Sequence, residues 1–315
     1  MDIKEILKIS VPPLKEEASE KDYLFSRLLP EMKSFDSKEK ILSEMTPISD
    51  QGQLRSCTSN ATCDGFEYVL GDRVDLSRLF VYWNSRSNKT HATGTTIRSA
   101  LDSIRVYGVP PEYMWPYDPE KVNTKPSEGA WTVAEQRKRT TYYRVQNCQE
   151  IVTAIDAGWP VIFSVFLDDD FVNTWPHPDH VFTGEKLTDS SHAMLIVGYR
   201  KTDSGCQFRI RNSWVSKWCD EGYCWFTESY VAQLNDAWVV TNYEPQEPAF
   251  SKRNVEFAAS TLVTFGLASF FVYAKDVMSM DQFIPGLVMS VGLQGLAMWR
   301  RWWVNVTIND KIRII

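Results

Sequence analysis

The sequence predicts an α+β fold, with helices first and strands later, followed by two long apolar runs. Three observations carry the prediction: a helical pattern over residues 57–70, several short runs rich in Val, Ile, Phe and Trp after residue 160, and an abrupt rise in apolar content after residue 254. Helices and strands segregated along a chain imply two halves with a site between them. At 315 residues the chain can hold one large or two ordinary domains with sizeable cores.

Residues 1–28 are charged, and Pro12-Pro13 interrupts any long helix, so this stretch reads as an arm or short pro-segment. Over residues 57–70, Cys57, Ala61, Phe66, Val69 and Leu70 lie on or near a common helical face, and Gly71-Asp72 ends it. Residues 161–167, 193–199, 207–211 and 237–242 are apolar or alternating runs of strand length. A catalytic domain is expected over 29–247 and a linker over 248–254.

Chemistry concentrates in three contexts. Cys57 opens the predicted helix, His192 stands at the head of the apolar run Ala193-Met194-Leu195-Ile196-Val197, and Asn212 precedes Ser213-Trp214. A cysteine attacks as thiolate, a form favoured by a helix N-terminus and by a neighbouring imidazolium. An imidazole serves as base, and a third group orients it. Taken singly, Cys57 reads better as a core thiol, His192 as a satisfied core histidine and Asn212-Ser213 as a turn. Together they read as a thiol acyl-transfer site.

These segments resemble the papain family of cysteine peptidases from about Leu29 to Tyr243. Cys57 and His192 are 135 positions apart, inside the window of about 130–150 typical of that family. Gln51-Gly52-Gln53 looks like its oxyanion segment, Tyr107-Gly108-Val109 and Trp115-Pro116-Tyr117 resemble the stretch closing its helical half, and Gly158-Trp159-Pro160-Val161 and Glu221-Gly222-Tyr223 resemble its barrel half. The wording Gln53-Leu54-Arg55-Ser56-Cys57-Thr58 is closer to bacterial or viral members. The resemblance implies a helical lobe, a β-barrel lobe, a polypeptide substrate, no cofactor and no metal. Cys57 would be the nucleophile, His192 the base, Asn212 its orienter, and Gln51 with the Cys57 N–H the oxyanion donors. Trp214 would shield the His192–Asn212 bond.

Departures from the family pattern fall on the substrate-binding positions. Arg55 stands where glycine is usual, which would narrow the S1 wall or make it cationic. Thr58 replaces an aromatic residue, and Thr95 replaces the second glycine of a backbone-binding pair, leaving Gly94. Ser191 replaces an aspartate before the histidine.

The net charge of −6 gives no reason to expect nucleic-acid binding. Six cysteines form no C-x-x-C pair. Leu54 occupies the place of a cysteine that secreted family members pair, and Met1-Asp2-Ile3-Lys4-Glu5 starts charged with no apolar region after it, so free thiols and a reducing compartment are expected. His177 and His180, flanked by Pro176 and Pro178, belong to a solvated loop. The sequons at Asn60, Asn88 and Asn305 include one inside the predicted catalytic helix, which is accidental.

Val255 to Ala274 is a run of twenty residues with one charge at its edge, and Phe283 to Trp299 is an uncharged run of seventeen. Each approaches bilayer-spanning length. Residues 255–299 therefore read as a two-helix membrane hairpin with a basic tail at 300–315. Gly286, Ser290 and Gln294 suit close helix contact, and Trp299, Trp302 and Trp303 an interfacial belt. Lys252-Arg253 and Arg300-Arg301 place both ends, and with them the catalytic domain, on the cytoplasmic side. The sequence leaves two other readings open: acyl transfer to an amine by the same residues, or a papain-like peptide-binding module that does not cut.

Overall fold

A computed structural model describes residues 18–19, 22–29, 37–138, 141–173 and 176–242, all within one compact unit. Helix α1 spans Cys57–Leu70 as the sequence predicts. It stops at Gly71, whose left-handed backbone (φ 67°) lets its N–H reach back to the Glu67 carbonyl. The single apolar face anticipated for α1 is not what packing gives: every residue from Thr58 to Glu67 is buried. Helices α2 (Arg78–Ser85) and α3 (Ile97–Tyr107) cover α1, and the sheet also packs against it, so polar side chains on it are enclosed too. Gly65 permits this approach, because a Cβ there would sit 3.1 Å from Val240 Cγ2 and 3.3 Å from Leu195 Cδ1.

Caps fix the other helices where the chain supplies Ser, Thr or Asn. Ser77 caps α2, and Thr96 and Ser99 form a capping box on α3. Ser127 caps α4 (Glu128–Glu135) and Asn147 caps α5 (Cys148–Asp156). A second, smaller apolar cluster of Leu79, Phe80, Tyr82, Trp115, Ala130 and Ala134 joins α2 to α4.

The strands are β1 (Glu39–Ile41), β2 (Tyr142–Arg144), β3 (Val161–Asp168), β4 (Val181–Phe182), β5 (Leu187–Thr202), β6 (Gly205–Arg211), β7 (Tyr223–Thr227) and β8 (Asp236–Val240). They form one sheet in the order β2-β8-β3-β5-β6-β7-β4, with β1 also paired to β5. Only β4 with β7 runs parallel. Strand β5 is shared by three partners, pairing with β3, β6 and β1. Two short helices, α6 (Asp169–Asn173) and α7 (Glu228–Val231), follow β3 and β7. Strand β5 runs sixteen residues, longer at both ends than the apolar run foretold, because β3 and β6 pair along its flanks.

The end of the N-terminal arm belongs to this unit. Phe25 is fully buried and stacks edge-on to Trp159, and Leu28 is buried. Asp22 pairs with Arg98 and, at 3.0 Å, with Arg144. Burial opposes its charge, but the hydrogen bonds from Arg98, the Ser19 N–H and Arg144 win and hold its carboxyl down at about 2. Residues 22–28 are thus built into the domain.

All six cysteines are free, and among the described residues no group of three His, Cys, Asp or Glu side chains could hold a metal ion. Exposed His177 stays in a loop, but His180 is half-buried, packs on Phe182 and has its Nε2 2.7 Å from an Asp170 carboxylate oxygen, so it is not simply solvated. Asn60 is fully buried, consistent with an accidental sequon. The hairpin at 255–299 and the tail at 300–315 lie outside the described residues, among which no helix is long and apolar enough to cross a membrane.

Candidate active site

Ser56 occupies the N-cap position of α1, yet its side chain makes no capping bond. The first N–H groups of the helix are therefore left for whatever lies beside Cys57, and they carry the positive end of the helix dipole. Cys57 retains partial exposure. Burial pushes its thiol up, while the backbone N–H groups of Ala193, Thr58 and Cys57 itself pull it down.

His192 is buried on β5 opposite Val165 of β3. Its Nε2 lies 2.8 Å from Asn212 Oδ1. A carbonyl oxygen only accepts, so Nε2 carries the hydrogen and Nδ1 is left with a lone pair, the form required of a base. Asn212 Oδ1 also accepts from the Ser213 N–H at 2.8 Å, and the Asn212 N–H is fixed on the Gly222 carbonyl at 3.0 Å. Trp214 stacks on the imidazole with centroids 4.9 Å apart and covers the pair. Burial lowers His192 to about 4, against the Asn212 bond. Both shifts disfavour either charge formed alone, so the thiolate expected from the sequence does not follow from burial. Forming both charges together would let their mutual attraction offset the penalty.

Gln51 is buried and oriented from both sides. Its Oε1 accepts from Ser213 Oγ at 2.7 Å and its N–H meets the Ser213 carbonyl at 3.0 Å. Nε2 donates to the Leu54 carbonyl at 3.1 Å, which leaves its second hydrogen for a substrate oxygen. The structure therefore brings Gln51, His192, Asn212 and Trp214 into one connected network.

The specificity positions separate. Arg55 is half-buried and has no ion-pair partner among the described residues. Thr95 is buried, and its hydroxyl bonds that of Thr58, so the two unusual residues are matched: the threonine replacing glycine ties the Gly94 loop to the nucleophile helix. Gly94 remains half-buried. Ser191 is buried, its Oγ has no hydrogen-bond partner among the described residues, and as the residue before His192 on β5 it faces the other side of the strand, so the structure does not bring it to the site.

Sequence reasoning missed a buried ionic network behind the site. Asp64, two turns along α1 from Cys57, accepts from Arg211 Nε at 2.8 Å and Arg78 Nη2 at 2.8 Å. Arg211 is the chain neighbour of Asn212 and also reaches Tyr223 Oη at 2.9 Å and the Pro47 carbonyl at 2.8 Å. Burial opposes the Asp64 charge but the two guanidinium groups hold its carboxyl down, whereas burial drives Glu67, on the same Arg78, up to about 7. The one signal available was charge at positions that the helix and strand patterns predict to be enclosed.

Comparison with known proteins agrees with this architecture. Residues 31–240 match the papain family cysteine protease profile. An uncharacterized peptidase C1-like protein of Acanthamoeba polyphaga mimivirus is 28% identical over 229 residues, covering 63% of this chain and 73% of its own. Vignain of Vigna mungo is 29% identical over 194 residues, covering 57% of this chain and 50% of vignain, so the chain spans about half the length of that plant relative. Xylellain, a cysteine protease from Xylella fastidiosa, has a TM-score of 0.63 at 25% identity, covering 75% of this chain and 97% of xylellain. Viral and bacterial relatives accord with the wording around Cys57. Since the match runs through both the helical and the sheet portions, the chain belongs to the papain family of cysteine proteases and is a cysteine-type peptidase.

Proposed function

We propose that this chain hydrolyses peptide bonds through Cys57 and is held at the cytoplasmic face of a membrane by residues 255–299. The observation that carries the catalytic reading is the His192 Nε2–H bond to Asn212, which leaves Nδ1 free as a base. Nδ1 takes the Cys57 proton as sulfur attacks the carbonyl carbon. The resulting oxyanion accepts from the Cys57 N–H and the free Gln51 Nε2 hydrogen. The imidazolium then protonates the leaving amine, and water, deprotonated by His192, releases the acid and restores the thiol. The substrate is a polypeptide, and the Arg55 guanidinium, without an ion-pair partner among the described residues, favours a small or acidic side chain beside the scissile bond.

The tether rests on the apolar runs of twenty and seventeen residues and their basic flanks. Cys57→Ala should abolish both hydrolysis and labelling by a thiol-reactive peptide electrophile; equal labelling of variant and parent refutes the nucleophile. The full chain should resist carbonate extraction, while a chain ending at Glu247 should be soluble and cleave small peptides. Release of the full chain by carbonate refutes the tether.

A further inference from the structure

In the reading above Gln51 and Cys57 supply the two donors to the oxyanion, and they stand at opposite ends of a seven-residue stretch of chain, residues 51–57. Its turn-rich backbone contains Gly52 at φ 54° and has no helix or strand to fix its span. A phenol does so from behind. Tyr117 Oη lies 2.8 Å from the Gln51 carbonyl oxygen and 2.5 Å from Ser56 Oγ. It therefore touches the chain at one donor residue and at the immediate neighbour of the other.

The proton directions follow from counting. The Gln51 carbonyl can only accept, so the single Tyr117 hydrogen points to it. Ser56 must then donate to Tyr117, and Asn60 Nδ2, 3.0 Å from Ser56 Oγ and 3.0 Å from the Ser56 carbonyl, donates to Ser56. The sequence of donations is Asn60 to Ser56 to Tyr117 to Gln51. Ser56 Oγ, which would cap its helix as an acceptor, accepts from Asn60 Nδ2 instead of from a backbone N–H. Tyr117 is itself anchored, its N–H donating to the Glu112 carboxylate.

We infer that Tyr117 is a positioning residue that sets the separation of the two oxyanion donors, Gln51 Nε2 and the Cys57 N–H, by bridging Gln51 and Ser56. The inference rests on the thiol peptidase reading of Cys57. Reactions that build an oxyanion need this spacing; attack of the Cys57 sulfur on the carbon of an alkyl halide, which forms an S–C bond and expels halide, does not.

Tyr117→Phe separates the two. It removes one hydroxyl and keeps the ring. With the full chain, kcat on a fluorogenic peptide and affinity for a peptide aldehyde, which forms a tetrahedral adduct, should each fall about tenfold, a fraction of the loss expected when a donor is deleted. KM and the rate of Cys57 alkylation by iodoacetamide should stay within about twofold of the parent, as expected when only transition-state interactions are lost. Ser56→Ala, which spares the Tyr117–Gln51 bond, should give a smaller loss of about threefold in the same two readouts. Unchanged aldehyde affinity in Tyr117→Phe overturns the inference, as does a parallel loss of aldehyde affinity and alkylation, which a general disturbance of the fold would cause. Failure of the parent to be alkylated at Cys57 would instead overturn the peptidase reading beneath it.

Discussion

Replacing Arg211 with Met tests whether the buried ionic network holds the catalytic elements in place. The Arg211 side chain is fully enclosed and makes a 2.8 Å ion pair with Asp64 plus bonds to Tyr223 and Pro47. Breaking such a pair from one side costs about 3–5 kcal/mol, because a charge is left buried with its partner gone. Here Asp64 keeps Arg78 at 2.8 Å, which places the loss near 3 kcal/mol, while Met fills most of the volume. For a domain of this size that corresponds to a fall in Tm of about 6–12 °C. Asn212, next in the chain, loses its support, so kcat should fall about 10- to 100-fold through misorientation of His192. Thermal denaturation by circular dichroism and peptide hydrolysis well below the variant's Tm measure the two effects. Arg211→Lys, which keeps the charge and loses the planar fork, should fall between parent and Met. A Tm drop under about 2 °C with unchanged kcat would refute the reasoning, since no buried pair of this kind breaks so cheaply.

Two further outcomes concern pH and specificity. His192 titrates at about 4 folded against 6.5 as a free side chain, so it alone removes stability as pH falls from 6.5 to 4. Glu67 acts oppositely: raised from 4.5 to about 7, it adds stability as pH falls from 7 to 4.5. Stability should therefore be nearly flat between those limits and then decline in acid, where Asp22, held at about 2, adds its own loss below 3.8. Glu67→Gln should expose a continuous decline from pH 6.5 downward in urea titrations, and a profile identical to the parent's would show that Glu67 does not titrate in that range. Arg55→Gly should broaden acceptance at the residue before the scissile bond, and an unchanged peptide-library profile would exclude Arg55 as a determinant.

Short-range pattern was enough for much of this protein. The bounds of α1, its stop at Gly71, the strands β3 and β6, and the pairing of His192 with Asn212 were legible because spacing along the chain encodes helix period, strand alternation and local turn chemistry. The Thr58–Thr95 pairing, the clamp on Asp22, the Asp64–Arg211 bond and the Tyr117 bridge were not. Their partners are 37, 76, 147 and 66 positions apart respectively, taking Arg98 for Asp22 and Gln51 for Tyr117. Nothing local distinguishes a charged or hydroxylic side chain that will face water from one that will be enclosed. Only when α1 is packed between helices and sheet does burial make an unpaired polar group costly, and that cost is what selects these distant partners.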